Sequence, residues 1–509
     1  MKNGPRAAVS RRNSEGGSQQ VVFGSMLLQR DSLTPPALTA FGPTLFGPTP
    51  AGRSVRVLLL IFIVAMCGAC NDMSSAGGAV GDTTQAFGVG VEVPSETVAP
   101  SPTTPRVAMS PTAVPTPLPI VEPTVTLVGT VVSNGKPLAS TTVTLGARTV
   151  STDDGGMFVF VNATPGTVVA SRPAWEPTEV SWDGATVPLT IEVDPIVVRG
   201  LRVSVYSELT DAVWDNLIAL AGTSSVNALV FDTKDESGHV RYETNVALAN
   251  EINAVLPMYD PVQRIAQARE AGLYTITRIV SFEDPIRANA RPSSRATGKW
   301  IDAANSDNWG YNLDLAEEAC ALGFDEIQFD YVRFPTGVGQ YGRPATQAER
   351  VGYIVEYLTR ARDILHPMGC ALSADIFGIV LSSADDQGIG QVPEDLSTVV
   401  DALSPMVYPS HYSSGWLGLA NPNNHNALVT ADALDDGSAR LVGSAVMRPW
   451  LQAFYYNASE IRAGIDVADE RGMGWLLWEA GGSYSAASLP PAPVVDADGT
   501  ALNTDEADE

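Results

Sequence analysis

Between residues 197 and 485 the chain alternates eight short apolar runs with helical stretches, and few architectures accept that pattern. The runs are GLRVSVY, VNALVFDTKD, LYTITRIVSF, FDEIQFDYVRFP, CALSADIFG, ALSPMVYPSHY, LVGSAVMRPWLQAF and GWLLWEA. Segments such as LTDAVWDNLIALAG, DPVQRIAQAREAG, WGYNLDLAEEACALG and QAERVGYIVEYLTRARDILHPMG separate them. Repeated β/α units of this size predict an α/β fold, a (β/α)8 TIM barrel. A doubly wound open sheet is the alternative, but no Gly-rich phosphate loop follows the first run.

The rest of the chain reads as appendages to that body. Residues 125–195 carry short β-rich runs punctuated by Asn134-Gly135, Asp154-Gly155-Gly156 and Pro165-Gly166, which predicts a small antiparallel β-sandwich. Residues 71–124 form a linker, with nine prolines from Pro94 to Pro123 among Thr, Ser, Val and Ala. Such a segment favours an extended, coreless stalk. Residues 486–509 are expected to be an acidic disordered tail.

Residues 1–70 contain the address. The run VLLLIFIVAM (Val57–Met66) follows Arg53 and Arg56 and precedes Gly68-Ala69-Cys70. It is shorter than the roughly 20 residues of a membrane-spanning helix and reads as a secretory signal. The ending resembles a bacterial lipobox, in which Cys70 would be lipidated and tether the chain to the outer face of a membrane. A plain signal peptide or an anchoring helix is the alternative. Residues 1–50 look unlike targeting sequence, as expected if translation starts further downstream.

With 57 acidic against 31 basic residues the net charge is −26, which argues against nucleic acid as a partner. Four histidines leave no His-rich metal set, so neither a metal nor another cofactor is expected. Cys320 and Cys370 read first as separate buried thiols, with a long-range disulfide as the alternative.

In a (β/α)8 barrel the chemistry lies at the C-terminal ends of the strands. Period-two alternation groups Ala228, Val230, Asp232 and Lys234 on one face, then Gln328 with Asp330, then Ala371, Ser373 and Asp375. Asp232, Asp330 and Asp375 are thus expected to converge at the barrel mouth, balanced by Lys234, Arg278 or Arg333. Two carboxyl groups with separated pKa values are what glycosidic cleavage needs. Asp330, beside Arg333, is expected to be the ionised member, and Asp375 the protonated one. A salt-bridge network without turnover is the competing reading of the same residues. Tyr408, His411, Tyr412, Trp416, Trp450 and Trp478 are candidate platforms for sugar rings, and Glu479 ends the last run as a further polar contact.

The motifs VNALVFDTKDESGHVRYET, GFDEIQFDYVRFP, ALSADIFG, SPMVYPSHY and GWLLWEA resemble a bacterial glycosyl hydrolase family catalogued as a domain of unknown function. The resemblance covers nearly the whole barrel and implies a reaction class rather than a substrate. Relative to chitinase-like barrels, Gln328 and Val332 replace the middle Asp and the catalytic Glu of the fourth-strand signature. Cellulase-like barrels carry a seventh-strand acid, absent around Arg448. An α-amylase-like placement, nucleophile on the fourth strand and acid on the fifth, matches Asp330 and Asp375. GTVVSNGKPLASTTVTL followed by STDDGGMFVF resembles the carboxypeptidase regulatory-like (transthyretin-like) module. The expected function is an extracellular, retaining glycosidase acting on a polysaccharide. A non-catalytic polysaccharide-binding lipoprotein is the alternative.

Overall fold

The computed structural model describes residues 125–204, 210–336 and 346–493. The predicted signal, Cys70, the proline-rich linker and most of the acidic tail lie outside the described residues.

Residues 125–192 form two four-stranded sheets. In the first, β1 (Val125–Ser133) pairs with β2 (Lys136–Pro137), β5 (Met157–Ala163) and β8 (Leu189–Glu192). In the second, the order is β4 (Arg148–Ser151), β3 (Thr142–Leu145), β6 (Gly166–Ser171), β7 (Thr178–Trp182). Alternating inward residues, among them Leu127, Val131, Val143, Phe158, Phe160, Val168 and Ile191, make one apolar cluster. The expectation of purely antiparallel pairing is corrected at one strand, because β8 runs parallel to β1. Only a hairpin forces antiparallel pairing; β8 arrives after β7, from the other sheet.

Nine further strands follow in the barrel region and two in a side hairpin. They are β9 (Arg199–Arg202), β10 (Ala228–Lys234), β11 (Tyr274–Val280), the hairpin β12 (Arg295–Thr297) and β13 (Trp300–Ile301), β14 (Glu326–Asp330), β15 (Ala371–Phe377), β16 (Ala402–Val407), β17 (Val446–Met447), β18 (Trp450–Gln452) and β19 (Trp475–Trp478). Outside the hairpin every pairing is parallel, and β19 returns to β9, so the sheet closes. Strands β17 and β18 are two pieces of one position around Arg448-Pro449, both paired with β16. Proline has no N–H for the ladder, which accounts for the break. The result is an eight-stranded parallel barrel with helices outside it.

Parallel strands in a barrel are covered on both sides, and β10 and β14 are buried at every position. Helix starts are written locally. Thr346 and Glu349 form a capping box for the helix Gln347–Leu365, and Asp260 caps Pro261–Glu270 with Pro at the first turn. No helix among the described residues is long and apolar enough to cross a membrane.

Cys320, on the helix Gly310–Leu322, is bonded to Cys370, just before β15. The expectation of two separate thiols is therefore corrected. Helix and strand lie against each other in the barrel wall, which brings the two Cα atoms to 6.0 Å across 50 residues of sequence. Closing a loop of that length restricts the unfolded chain by about 4 kcal/mol.

The two-sheet domain seats on the N-terminal end of the barrel, opposite the mouth. Arg172, following β6, places Nη2 2.7 Å from Asp401 Oδ1, immediately before β16. Asp401 Oδ2 accepts from His366 Nε2 and from the Leu372 N–H, each at 2.8 Å. Lys136 Nζ donates to the carbonyls of Leu441 and Gly443 at 2.8 and 3.0 Å. Burial would raise the Asp401 carboxyl, but His366 and Arg172 outweigh it and hold it below its usual range. Arg172→Ala leaves that buried carboxylate one cation short. It is expected to lower stability by about 3 kcal/mol, read as a shift in the urea midpoint at pH 7. Because the folded carboxyl is depressed, the loss should shrink as the pH falls through the carboxylate range.

Candidate active site

At the C-terminal end of the barrel the inward faces of five adjacent strands bring charged groups together. On β10, Ala228 and Val230 point into the barrel with Ile276, Tyr408, Trp450 and Leu476, while Leu229 and Phe231 pack under the helices. Asp232 continues the inward face. On β9 the same alternation puts Gly200 and Arg202 inward, opposite Ala228 and Val230.

Arg278 on β11 is the hub. Its Nε and Nη2 donate to Asp330 Oδ2 at 2.9 and 2.6 Å. Its Nη1 donates to Asp232 Oδ1 at 2.9 Å and to Glu236 Oε2 at 3.3 Å. Arg202 pairs with the other oxygen of Asp232. Both guanidiniums lie against the Trp478 ring, 4.5 Å from its centroid for Arg202 and 5.0 Å for Arg278. Burial opposes the charge on Arg278, but Glu236, Asp330 and Asp232 outweigh it and raise its pKa well above the usual value. For Glu236, burial is likewise outweighed by Arg278, and its carboxyl falls to about 2. That side chain is still 42% exposed, so it is the carboxylate of this group most open to solvent.

Asp330 ends β14. Its Oδ1 accepts the N–H of Tyr331 at 2.6 Å, and Tyr331 adopts φ +48° to make that contact. A bulky residue in the left-handed region is uncommon and carries strain, here spent on orienting the carboxylate. Asp375 lies on β15. The β14–β15 register runs from Glu326 opposite Ala371 to Phe329 opposite Ala374, and its continuation sets Asp330 beside Asp375. Trp450 Nε1 donates to Asp375 Oδ1 at 2.8 Å. Burial first, then the charge of Asp330, push the Asp375 carboxyl well above its usual range; Arg278 and Trp450 offset this only in part. The adjacent carboxyls are thus set differently: one clamped by a guanidinium, one dry and inclined to keep its proton. Tyr408 sits in the same field, its hydroxyl held protonated by burial and then by Asp375 and Asp330.

Two layers deeper, Glu326 accepts from Arg448, Ser373 and Tyr274 within the barrel. Between the layers Gln328 donates to Ser404 Oγ at 3.3 Å. These contacts, buried apart from the half-buried Tyr274, make the floor on which the acid layer rests.

The expected set is not assembled in full. Asp232, Arg278, Asp330, Asp375, Tyr408 and Trp478 come together. Lys234 does not, and its expected place on the inward face is corrected. A bulge sets Asp232 opposite Arg278 but Lys234 opposite Ile279, which faces the helices. Lys234 is fully buried there, with Nζ 2.9 Å from Asp284 Oδ2 and 2.7 Å from Asn312 Oδ1. Arg333, expected beside Asp330, has its guanidinium between the Trp300 and Phe377 rings, 4.5 Å from each centroid, and Arg278 takes its role. Trp450 is buried and serves Asp375 through its N–H, so its expected role as a sugar platform is corrected too. Tyr412 is buried, whereas His411 and Trp416 reach the surface. Glu479 is half-buried and accepts the N–H of Ser483 at 3.2 Å.

Arg202, Glu236, Glu283 and Lys299 join the mouth without having been expected. Glu283 is pushed upward by burial, partly offset by its ion pair with Lys299. Alternation along β9 was signal enough for Arg202; the others stand beyond strand ends, where periodicity no longer applies.

A family model described as a putative glycosyl hydrolase domain matches residues 200–484. The chain belongs to that family. Among solved structures, this glycosyl hydrolase family member is similar to a hypothetical protein from Ruminiclostridium thermocellum ATCC 27405, with 32% identity over 34% of this chain and 96% of that one, and a TM-score of 0.31. It is similar to the PgaB (BpsB) glycoside hydrolase domain from Bordetella bronchiseptica, with 13% identity over 56% and 95% of the two chains, and a TM-score of 0.42. A class V chitinase from Pseudomonas fluorescens Pf-5 gives 13% identity over 57% and 98%, and a TM-score of 0.38. No curated protein matches the chain.

Proposed function

We propose that this protein is an extracytoplasmic glycoside hydrolase that cleaves a polysaccharide by a two-carboxylate, retaining mechanism. The observation that carries the reading is the pair Asp330 and Asp375 on adjacent strands, with opposite electrostatic surroundings. Asp330 attacks the anomeric carbon, and Asp375 protonates the departing oxygen. Water then releases the glycosyl group from Asp330, with Asp375 taking its proton. Neighbouring strands lie about 4.8 Å apart, close to the roughly 5–5.5 Å that retention requires and below the roughly 6.5–9.5 Å of an inverting pair. Arg278 keeps Asp330 in place as charge moves, and Tyr408 offers a hydroxyl donor beside the acid. No cofactor enters these steps.

The test is digestion of a panel of soluble polysaccharides, with the anomer first released followed by proton NMR. Retention of configuration supports the reading; inversion overturns the mechanism. Both acids are almost fully enclosed, which also favours a second reading, a non-catalytic polysaccharide-binding protein. Glycan binding without release of any reducing end would establish that one.

The location belongs to the same proposal. A disulfide between Cys320 and Cys370 suits an oxidising compartment. The lipobox-like Gly68-Ala69-Cys70 supplies a lipid anchor, the linker a stalk, and the two-sheet domain a carboxypeptidase regulatory-like spacer. Metabolic labelling with palmitate is expected to mark the wild type and to be lost in Cys70→Ser. Equal labelling of both would defeat the anchor.

A further inference from the structure

Beyond β18 the chain reads Ala453-Phe454-Tyr455-Tyr456-Asn457. Aromatic rings here lead outward from the acid pair. Tyr408, in the field of Asp375 and Asp330, meets the Phe454 ring edge to face at 5.4 Å. Phe454 meets Tyr455 edge to face at 5.1 Å, and His411 packs on Tyr408 at 5.2 Å. Phe454 is half-buried against the barrel interior, whereas Tyr455 is 83% exposed.

Tyr455 holds φ +65°. Bulky residues avoid this region, and glycine or asparagine would enter it with less strain. The turn is nonetheless fixed on both sides. Gln452 Nε2 donates to the Phe454 carbonyl at 3.1 Å and to Asn423 Oδ1 at 2.9 Å, and Tyr456 donates its hydroxyl to the Asn423 carbonyl at 2.8 Å. Asn457 then caps the helix Ala458–Asp469 in a capping box with Glu460. Phe454, Tyr456 and Asn457 do the packing and capping. The Tyr455 ring contributes little to the fold, yet it is large, exposed and held in place by a strained backbone. Strain of this kind persists where surrounding structure enforces it, and it concentrates at ligand sites.

We infer that Tyr455, backed by Phe454, is the platform of an outer subsite that stacks a neutral pyranose of the same polysaccharide, away from the point of cleavage. The aromatic face packs on the C–H side of a sugar ring, and exposed His411 stands nearby for its hydroxyls. The sugar is neutral rather than anionic because the mouth sets Asp232, Glu236 and Asp330 against Arg202 and Arg278, on a chain whose net charge is −26. A polyanion would be repelled. The inference rests on the polysaccharide reading of the site, but not on its catalysis.

Affinity electrophoresis in native gels tests it, with hydroxyethylcellulose, laminarin, soluble starch, xylan and galactomannan as neutral probes and polygalacturonate as the anionic one. At least one neutral gel should retard the wild type. Tyr455→Ala should weaken that binding about tenfold, in line with the order of magnitude of an aromatic contact, and Tyr455→Trp should keep it. Tyr455→Gly should lose binding while its Tm rises, an outcome that a structural role for the ring does not give. The inference is overturned if no neutral gel retards the wild type, if Tyr455→Ala binds as well as the wild type, or if polygalacturonate binds best. Tyr455-dependent retardation without hydrolysis would sink the hydrolase reading and leave the platform standing. Hydrolysis with Tyr455-independent binding would do the reverse.

Discussion

Replacing Asp330 by asparagine is expected to abolish turnover, with kcat reduced by about 10^4-fold or more, while the fold stays intact. The amide keeps the shape and can still accept the Arg278 contacts through its oxygen, but it is no nucleophile. Asp375→Asn should behave differently. It removes a proton donor that matters in proportion to how poorly the leaving group departs. Polysaccharide cleavage should slow by about 10^2- to 10^4-fold, while glycosides with activated aryl leaving groups should lose much less in glycosyl transfer to Asp330. The pH profile follows from the same surroundings. Burial and Asp330 raise the Asp375 carboxyl, so the alkaline limb of kcat/KM should lie well above the usual carboxylate range and vanish in Asp375→Asn. Equal losses on both substrate types, or an unchanged alkaline limb, would remove Asp375 from the acid role. Asp232 is held between two guanidiniums, which suits it poorly to donating a proton.

The barrel was legible because its strands are covered on both sides. A strand buried on both faces, such as β10 with its run ALVF, is apolar until it delivers its polar groups towards the mouth. The seventh run was legible in place but not in form, since Pro449 divides it into β17 and β18. Alternation located Asp232, Asp330 and Asp375 correctly and failed at Lys234, because one bulged residue reverses every side chain beyond it. Residue type misled at Trp450. An indole at a strand end can offer its face to a sugar or its N–H to a carboxylate, and only the position of Asp375 decides between them. Arg333 misled through sequence proximity to Asp330; the nearer cation in space comes from the neighbouring strand, 52 residues earlier. Tyr455 carried no periodic signal at all, standing in a turn whose left-handed backbone no propensity would assign to tyrosine.

Arg278 is where stability and chemistry meet, and its loss should cost both. The Asp232 and Asp330 side chains are 3% and 6% exposed, and Arg278 bonds to each of them. Arg278→Ala would leave Asp330 without its guanidinium and Asp232 with Arg202 alone. A loss of about 3–5 kcal/mol in unfolding free energy is expected at pH 7, together with loss of turnover. Arg278→Lys should fold better than Arg278→Ala yet remain nearly inactive, since a single ammonium cannot hold two carboxylates in a fixed fork. The pH dependence carries a definite sign. Glu236 is depressed to about 2 in the folded wild type, so its pairing stabilises the fold above the ordinary carboxylate range and is lost as the pH falls towards 2. Its own share is reduced by solvent screening. The gap between wild type and Arg278→Ala should therefore be widest near neutrality and narrow at about pH 3, as Glu236 takes up its proton in the variant before it does in the wild type. Urea unfolding of both proteins at the two pH values measures it. An equal gap at both would mean that Arg278 matters mainly through its packing on Trp478, and that the charge clamp on Asp330 is not what holds this site together.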